Sequence, residues 1–177
     1  MGNSGVGKSS LAWALVRQGC RLVTDDMVCL TTSPDGLVVQ PGRARLRLWP
    51  DSALRLGVSG GDSRVLFPTT FEMEKIGVRD RSAFADAAVP LHAIYKVLPR
   101  DAGLRAPAIG AIPAGERLAE LAANLHGMIA PGREARKSEL ALLAQVAATV
   151  PLHSLTLPDD LDLLPDMAAD LIDRLFR

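Results

Sequence analysis

Residues 2–9 read Gly-Asn-Ser-Gly-Val-Gly-Lys-Ser, and the interpretation of the whole chain depends on this stretch. It satisfies the pattern Gly-x-x-x-x-Gly-Lys-Ser/Thr at every fixed position. The glycines allow backbone N–H groups to surround phosphate oxygens, while Lys8 reaches the β- and γ-phosphates and the Ser9 hydroxyl binds Mg²⁺. Residues 10–18 (SLAWALVRQ) predict a helix that points its positive dipole end at the same anion and ends at Gly19. The predicted nucleotide-binding residues are Gly2, Asn3, Ser4, Gly5, Val6, Gly7, Lys8, Ser9 and Ser10.

Two adjacent aspartates, Asp25 and Asp26, lie in a β-rich stretch, residues 21–32 (RLVTDDMVCLTT), which predicts a strand. A helix that starts at Lys8 moves the chain roughly 15 Å away from the phosphates at 1.5 Å per residue. A strand from residue 20 to residue 24 brings it back by about 16 Å at 3.3 Å per residue. The aspartates are therefore predicted to lie level with the loop. Because they are adjacent, they point to different sides and suit two different roles.

The stretch GNSGVGKSSLAWALVRQGCRLVTDDMV, residues 2–28, resembles part of the catalytic domain of the HPr kinase/phosphorylase family. In that family a phosphate loop, a short helix and the sequence G-x-x-L-V-x-D-D follow in this order and at this spacing. The resemblance implies a nucleotide fold similar to phosphoenolpyruvate carboxykinase, and use of ATP and Mg²⁺ to phosphorylate a serine on a small protein. It also implies that Asp25 is the base for the acceptor hydroxyl and that Asp26 helps to hold Mg²⁺ with Ser9, although it leaves the order of the two aspartate roles open.

Two further segments, LRLWPD (residues 46–51) and PLHAIY (residues 90–95), are similar to short HPr-kinase-like proteins. Some of those proteins phosphorylate a serine of a precursor peptide. The chain also departs from the bifunctional enzymes of the family, because Ser10 stands where they commonly carry an acidic residue, and because their phosphorylase signature and N-terminal regulatory domain have no equivalent. These departures argue against phosphorylase activity and against HPr as the acceptor. A strand normally precedes such a loop, so we expect one upstream of residue 1.

The remaining pattern predicts a mixed α/β fold with helices on a sheet, in a single domain over residues 1–177. The resemblance implies that this fold is a P-loop-containing, phosphoenolpyruvate carboxykinase-like mixed sheet flanked by helices, and we expect its first strand to be missing. A turn is predicted at residues 33–36 and an exposed loop at 57–70. Further strands are predicted at residues 37–40, 91–98 and 152–157. Further helices are predicted at residues 52–56, 114–129, 133–149 and 166–176.

Composition and charge exclude several classes of protein. Lys plus Arg equals Asp plus Glu at 20 each, and only 4% of residues are aromatic, which argues against a nucleic-acid partner. The longest stretch without formal charge, residues 140–158, contains polar residues and Pro151, so it predicts a buried helix and a strand rather than a membrane span. The sequence does not start with the pattern of a signal peptide. Cys20 and Cys29 are not spaced like the cysteines of a zinc site or of a redox-active pair. We expect a cytoplasmic protein without a membrane partner.

The pattern around several other side chains can be interpreted in two ways. Arg43, Arg45 and Arg47 alternate, so on a strand they would face one side and contact either a phosphate or acidic peptide, or only solvent. Lys75 and Arg79 lie in a predicted loop, where a surface role is favoured over closure on the γ-phosphate. His92, Trp13 and Trp49 are predicted in the core.

The function predicted from these residues is ATP- and Mg²⁺-dependent transfer of the γ-phosphate to a serine or threonine hydroxyl of a small protein or peptide, with Lys8 and Asp25 as catalytic residues. The alternatives are a non-catalytic ATP-binding regulatory module and a P-loop NTPase or GTPase. A GTPase is disfavoured because the chain has no N-K-x-D motif for guanine. The resemblance also favours an assembly of several copies of the chain.

Overall fold

The computed structural model describes residues 1–43, 45–58, 63–65, 76–78, 81–125 and 132–176. Helices and small sheets alternate along these residues, which confirms the predicted mixed α/β class. The α-helices are α1 (Lys8–Arg17), α2 (Pro50–Arg55), α3 (Ala114–Ala123), α4 (Arg133–Thr149) and α5 (Leu164–Phe176), and a 3₁₀ turn covers Arg81–Ala83. The strands are β1 (Cys29–Ser33), β2 (Gly36–Gln40), β3 (Leu46–Leu48), β4 (Ser63–Val65), β5 (Ile76–Val78), β6 (Val89–Pro90), β7 (Ile94–Val97), β8 (Ala108–Ala111) and β9 (Leu152–Thr156).

Three sheets of three strands each organise the described residues, in the orders β1-β2-β6, β3-β5-β4 and β7-β9-β8. The first two are antiparallel throughout. In the third, β9 pairs in parallel with β7 and antiparallel with β8. The β7-β9-β8 sheet is therefore mixed.

Helices cover both faces of the β7-β9-β8 sheet. Successive side chains of a strand point to opposite faces, and β9 contributes to two separate apolar clusters. Leu152 packs with buried residues of α3 and α4, whereas Leu155 packs with buried residues of α1 and α5. The mixed sheet thus forms the middle of three layers.

The turn predicted at residues 33–36 joins β1 to β2. Ser33 pairs with Gly36 across Pro34 and Asp35, so the loop of this hairpin has two residues. Proline presets φ for the first turn position. Gly36 has φ of 125°, a conformation that L side chains rarely adopt.

Residues 2–7, here called the glycine loop, connect the edge of β7 to the start of α1. The Met1 α-amino group donates to the Tyr95 carbonyl at 2.8 Å, and the Val97 N–H donates to the Met1 carbonyl at 2.9 Å. An added Cβ on Gly2 would collide with the Val97 carbonyl oxygen, so only glycine fits where the chain leaves this edge. These contacts place the glycine loop at the carboxyl end of β7, the end of a parallel pair where α/β proteins bind ligands.

The strand predicted over residues 21–32 forms only from residue 29 onward. Before it, Leu22 makes an isolated parallel bridge with Phe84. The Thr24 hydroxyl donates to the Met27 carbonyl at 2.7 Å, and the Met27 N–H donates to the Asp25 carbonyl at 2.7 Å. This tight turn interrupts the extended backbone, which explains why the β-rich composition does not become a continuous strand.

Other boundaries differ less. α4 has the predicted bounds, whereas β7 is shorter than the predicted strand and α5 starts two residues earlier than expected. β8 was not predicted, and β4 lies inside the predicted loop. Within the residues that the structure describes, no helix is both long enough and apolar enough to cross a bilayer.

Candidate active site

The glycine loop ends where α1 begins. Gly7 is the N-cap of the helix, with φ of 93°, and its carbonyl accepts the Leu11 N–H at 2.9 Å. An L side chain would be strained in this left-handed conformation. The glycine therefore lets the backbone turn directly from the loop into the helix, which leaves the first N–H groups of α1 at the loop.

Lys8 bridges the glycine loop. Its ammonium donates to the Gly2 carbonyl at 2.8 Å and to the Asn3 carbonyl at 2.6 Å. The side chain thus folds back from the first residue of α1 over the start of the loop. The ammonium is held among backbone groups that surround the space where the motif predicts phosphate.

The carboxylates of Asp25 and Asp26 point to different parts of the molecule. Asp25 is half-buried and accepts two backbone N–H groups, those of Arg47 and Asp26, each at 3.0 Å. Asp26 is more exposed, adopts a left-handed φ of 62°, and pairs with the Arg47 guanidinium. Asp25 therefore ties the turn to β3, whereas Asp26 presents its charge to the space beside the glycine loop.

A cleft of about 340 Å³ lies beside the glycine loop. This volume lies within the range of roughly 300–1,000 Å³ that small-molecule sites occupy. Asp26 lines the cleft together with six residues predicted to bind nucleotide, which are Ser4, Gly5, Gly7, Lys8, Ser9 and Ser10. Four other predicted site residues are not among its lining residues, namely Gly2, Asn3, Val6 and Asp25.

Further lining residues of the cleft come from segments outside the motif. β3 and the start of α2 contribute Arg47 and Trp49, and the ends of two parallel strands contribute Arg100 and Asp159. Arg100 and Asp159 each lie three residues beyond the last residue of β7 and β9. The sequence placed both residues just after predicted strands, where functional side chains often lie in parallel sheets, but it did not show that these two strands pair in parallel.

The expected stripe of arginines does not form. Only Arg47 lies on a strand, since Arg43 and Arg45 precede β3, with Arg43 exposed and Arg45 half-buried. Lys75 and Arg79 lie outside the described residues. Of the three arginines, Arg47 is the one that lines the cleft.

Two predictions of core burial were wrong. Trp49 is 37% exposed and lines the cleft, and His92 is exposed. Trp13 is in the core, as predicted, at 7% exposure. Trp49 directly precedes Pro50, and it stands at the N-cap of α2 at the end of β3, where the chain turns from the sheet toward the cleft.

Neither cysteine is arranged for catalysis. Burial raises the pKa of the Cys20 thiol, so the thiol stays protonated at neutral pH. Cys29 is exposed on β1, and neither residue lines the cleft.

The cleft residues fit Mg²⁺ bound together with a phosphate ligand. Mg²⁺ usually takes one or two protein oxygens, with phosphate and water completing its coordination. The Ser9 hydroxyl and the Asp26 carboxylate both line the cleft and are oxygen ligands of this kind. No cluster of three or more His, Cys, Asp or Glu residues that could hold a metal without phosphate occurs in the described part of the chain.

Models of known protein families, curated proteins and solved structures were compared with the chain, and none matches it. The function is therefore inferred from the residues that line the cleft.

Proposed function

We propose that this protein is an ATP- and Mg²⁺-dependent kinase that transfers the γ-phosphate to a serine or threonine hydroxyl of a small protein or peptide. One observation carries the proposal: Lys8 and Ser9 of the phosphate-binding motif line the same cleft as the Asp26 carboxylate. The proposal includes a phosphoenolpyruvate carboxykinase-like nucleotide fold of the type that the resemblance to HPr kinases implies.

Binding of the phosphates uses the glycine loop and Lys8. The N–H groups at the start of α1 are free of helical partners and are oriented by the helix dipole toward an anion. Lys8 now donates to two neutral carbonyls. A phosphate oxygen is the stronger acceptor, because it carries a negative charge that attracts the ammonium, whereas a carbonyl oxygen is neutral. We expect Lys8 to move from the carbonyls to the β- and γ-phosphates when ATP binds.

Ser9 and Asp26 are the residues that would hold Mg²⁺. The metal, when bound with ATP, neutralises charge on the β- and γ-phosphates. Asp26 now shares its charge with Arg47, and both side chains are substantially exposed, at 48% and 37%. An exposed ion pair contributes at most about 1 kcal/mol. This pair therefore poses little energetic obstacle to a new partner for Asp26.

Asp25 is the residue to which we assign the acceptor proton. The two N–H groups that it accepts hold its carboxylate in one orientation. It lies directly beside Asp26 in the chain, although it is not among the residues that line the cleft. Catalytic hydrogen bonds are often incomplete before substrate binds. The acceptor hydroxyl would lose its proton to Asp25 as its oxygen attacks the γ-phosphorus, while the bond from that phosphorus to the β–γ bridging oxygen breaks and ADP leaves.

The decisive experiment uses γ-labelled ATP with Mg²⁺ and a library of serine-containing peptides, each matched by a peptide with alanine in place of the serine. Label on the serine peptides alone supports the kinase. Release of free phosphate without labelled peptide would instead indicate an NTPase, and ATP binding without turnover would indicate a regulatory module. Lys8→Ala is the control variant, and it should lose nucleotide binding and transfer together because it removes a cation that faces the phosphates.

A further inference from the structure

Arg100 lies beside the glycine loop, at the end of β7. It follows β7, and the next residue is anchored to the neighbouring chain segment: the Asp101 N–H donates to the Leu157 carbonyl at 3.0 Å. Asp101 also forms an isolated parallel bridge with Pro158. These contacts continue the β7–β9 pairing past the ends of both strands, so Arg100 lies in a segment whose backbone is hydrogen-bonded to its neighbour.

The guanidinium of Arg100 lies against the last glycine of the loop. A Cβ added to Gly7 would stand 2.8 Å from Nη2, 3.3 Å from Nε and 3.5 Å from Cζ of Arg100. Gly7 immediately precedes Lys8, and both residues line the cleft with Arg100. The donor edge of the guanidinium is thereby brought to the same loop that the motif assigns to phosphate.

Arg100 differs in its partners from Lys8 and Arg47, the other cations among the described residues that line the cleft. Lys8 donates to loop carbonyls and Arg47 pairs with Asp26. Arg100 is half-buried, and it makes no hydrogen bond or ion pair with any residue in the described ranges, although Asp159 lines the same cleft. A planar guanidinium with five donors matches the oxygens of a phosphate in a two-pronged contact. The N–H groups of Arg100 are therefore available to bind an anion in the cleft.

We infer that Arg100 binds the phosphate chain of the nucleotide, as a second cation that acts together with Lys8 and the loop amides; the inference rests on the proposed nucleotide-binding function. The ligand class is a nucleoside di- or triphosphate, recognised at this residue through its phosphates and not through its base. Arg100 would act from the carboxyl end of β7, on the side of the loop where Gly7 leaves room for it.

The test measures binding of Mg²⁺-ATP and of inorganic tripolyphosphate by calorimetry for the wild type, Arg100→Ala and Arg100→Lys. Arg105→Ala is the matched control, since Arg105 is an exposed arginine on the same connection and does not line the cleft. Arg100→Ala should weaken both ligands between about tenfold and 100-fold, the range for a lost charge-assisted contact. Arg100→Lys keeps the charge but not the planar fork, and it should fall between Arg100→Ala and the wild type.

The outcomes separate this inference from the proposed function. If the wild type binds neither ligand, the proposed nucleotide function fails. If the wild type binds both ligands and Arg100→Ala binds them as tightly as Arg105→Ala does, the role of Arg100 is wrong and the proposed function stands. A loss confined to ATP, with tripolyphosphate unaffected, also overturns the inference, because phosphate contact requires both ligands to weaken. Melting temperatures measured without ligand show whether Arg100→Ala has a folding defect. If it has one, the affinities of Arg100→Lys for both ligands, compared with those of the wild type, test the inference instead.

Discussion

Asp25 and Asp26 have the same side chain but different environments. Substitution of Asp25 therefore tests stability and phosphate transfer, whereas substitution of Asp26 tests Mg²⁺ binding. The Asp25 carboxylate accepts two backbone N–H groups, and an amide in its place has only one oxygen to accept them. We expect Asp25→Asn to lower the free energy of unfolding by about 1.5–3 kcal/mol, the range for hydrogen bonds to charged groups. If Asp25 is also the base, transfer should fall on the order of 10²- to 10⁴-fold while Mg²⁺-ATP still binds.

Asp26→Asn should behave differently and is the natural control for Asp25→Asn. Asparagine tolerates a left-handed φ, and the lost ion pair with Arg47 is largely exposed, so stability should change by less than about 1 kcal/mol. Loss of a charged oxygen ligand should instead raise the Mg²⁺ concentration that ATP binding requires. Urea denaturation, calorimetry and single-turnover transfer measure these effects. If Asp25→Asn transfers at the wild-type rate, and Asp26→Asn abolishes transfer but keeps metal binding, the two roles are reversed.

At the scale of elements, α5 supports the helix that carries Lys8 and Ser9. Buried residues of α1 (Leu11, Trp13 and Ala14) and of α5 (Leu164, Met167, Ala168 and Leu171) belong to one apolar cluster. The position of α1, and with it the end of the glycine loop, depends on this packing. A substitution in α5 should therefore destabilise the fold and the support of α1, although no residue of α5 is among those that line the cleft.

Leu171→Ala tests this packing, with Leu175→Ala on the same helix as the control. Leu171 is 2% exposed and Leu175 is 37% exposed. Truncation of a buried leucine costs about 2–5 kcal/mol because it removes apolar burial and leaves a cavity. Chemical denaturation should show that loss for Leu171→Ala and a much smaller one for Leu175→Ala. Equal losses would mean that α5 does not hold α1 through Leu171.

At the scale of the whole molecule, the cleft gathers residues that are far apart in sequence, from the glycine loop to Asp159. A ligand that contacts these segments binds only the folded chain and stabilises it by mass action. At a free concentration of 100 times the dissociation constant the gain is about 2.7 kcal/mol. For a chain of this size, that gain raises the melting temperature by about 5–10 °C.

Thermal melting with Mg²⁺-ATP checks this expectation, and adenosine at the same concentration is the control ligand. Lys8→Ala should lose most of the increase because a phosphate-facing cation is removed. If Mg²⁺-ATP shifts the wild type and Lys8→Ala equally, the glycine loop is not where the nucleotide binds.

Local patterns in the sequence determined those features that depend on neighbours along the chain. The glycine loop and the helix after it, the two-residue turn at Pro34 and Asp35, and the bounds of α4 all follow from backbone conformation and helix propensity, which a few adjacent residues control. The mixed α/β class follows for the same reason. The spacing along the chain also predicted that Asp26 lies level with the glycine loop, and Asp26 does line the cleft. A turn and an isolated bridge take the place of the strand that the prediction assumed.

Only the tertiary structure decided which distant side chains join Lys8 and Asp26. Trp49 was predicted in the core from its residue type, and Arg47 was predicted to share one face with Arg43 and Arg45 from their alternation. Neither signal shows which segment of the chain lies opposite the residue. Arg100 and Asp159 reach the cleft because β7 and β9 pair in parallel, and that pairing links residues more than fifty positions apart. Pairing and burial over such distances result from packing of the whole chain, so no local pattern could specify them.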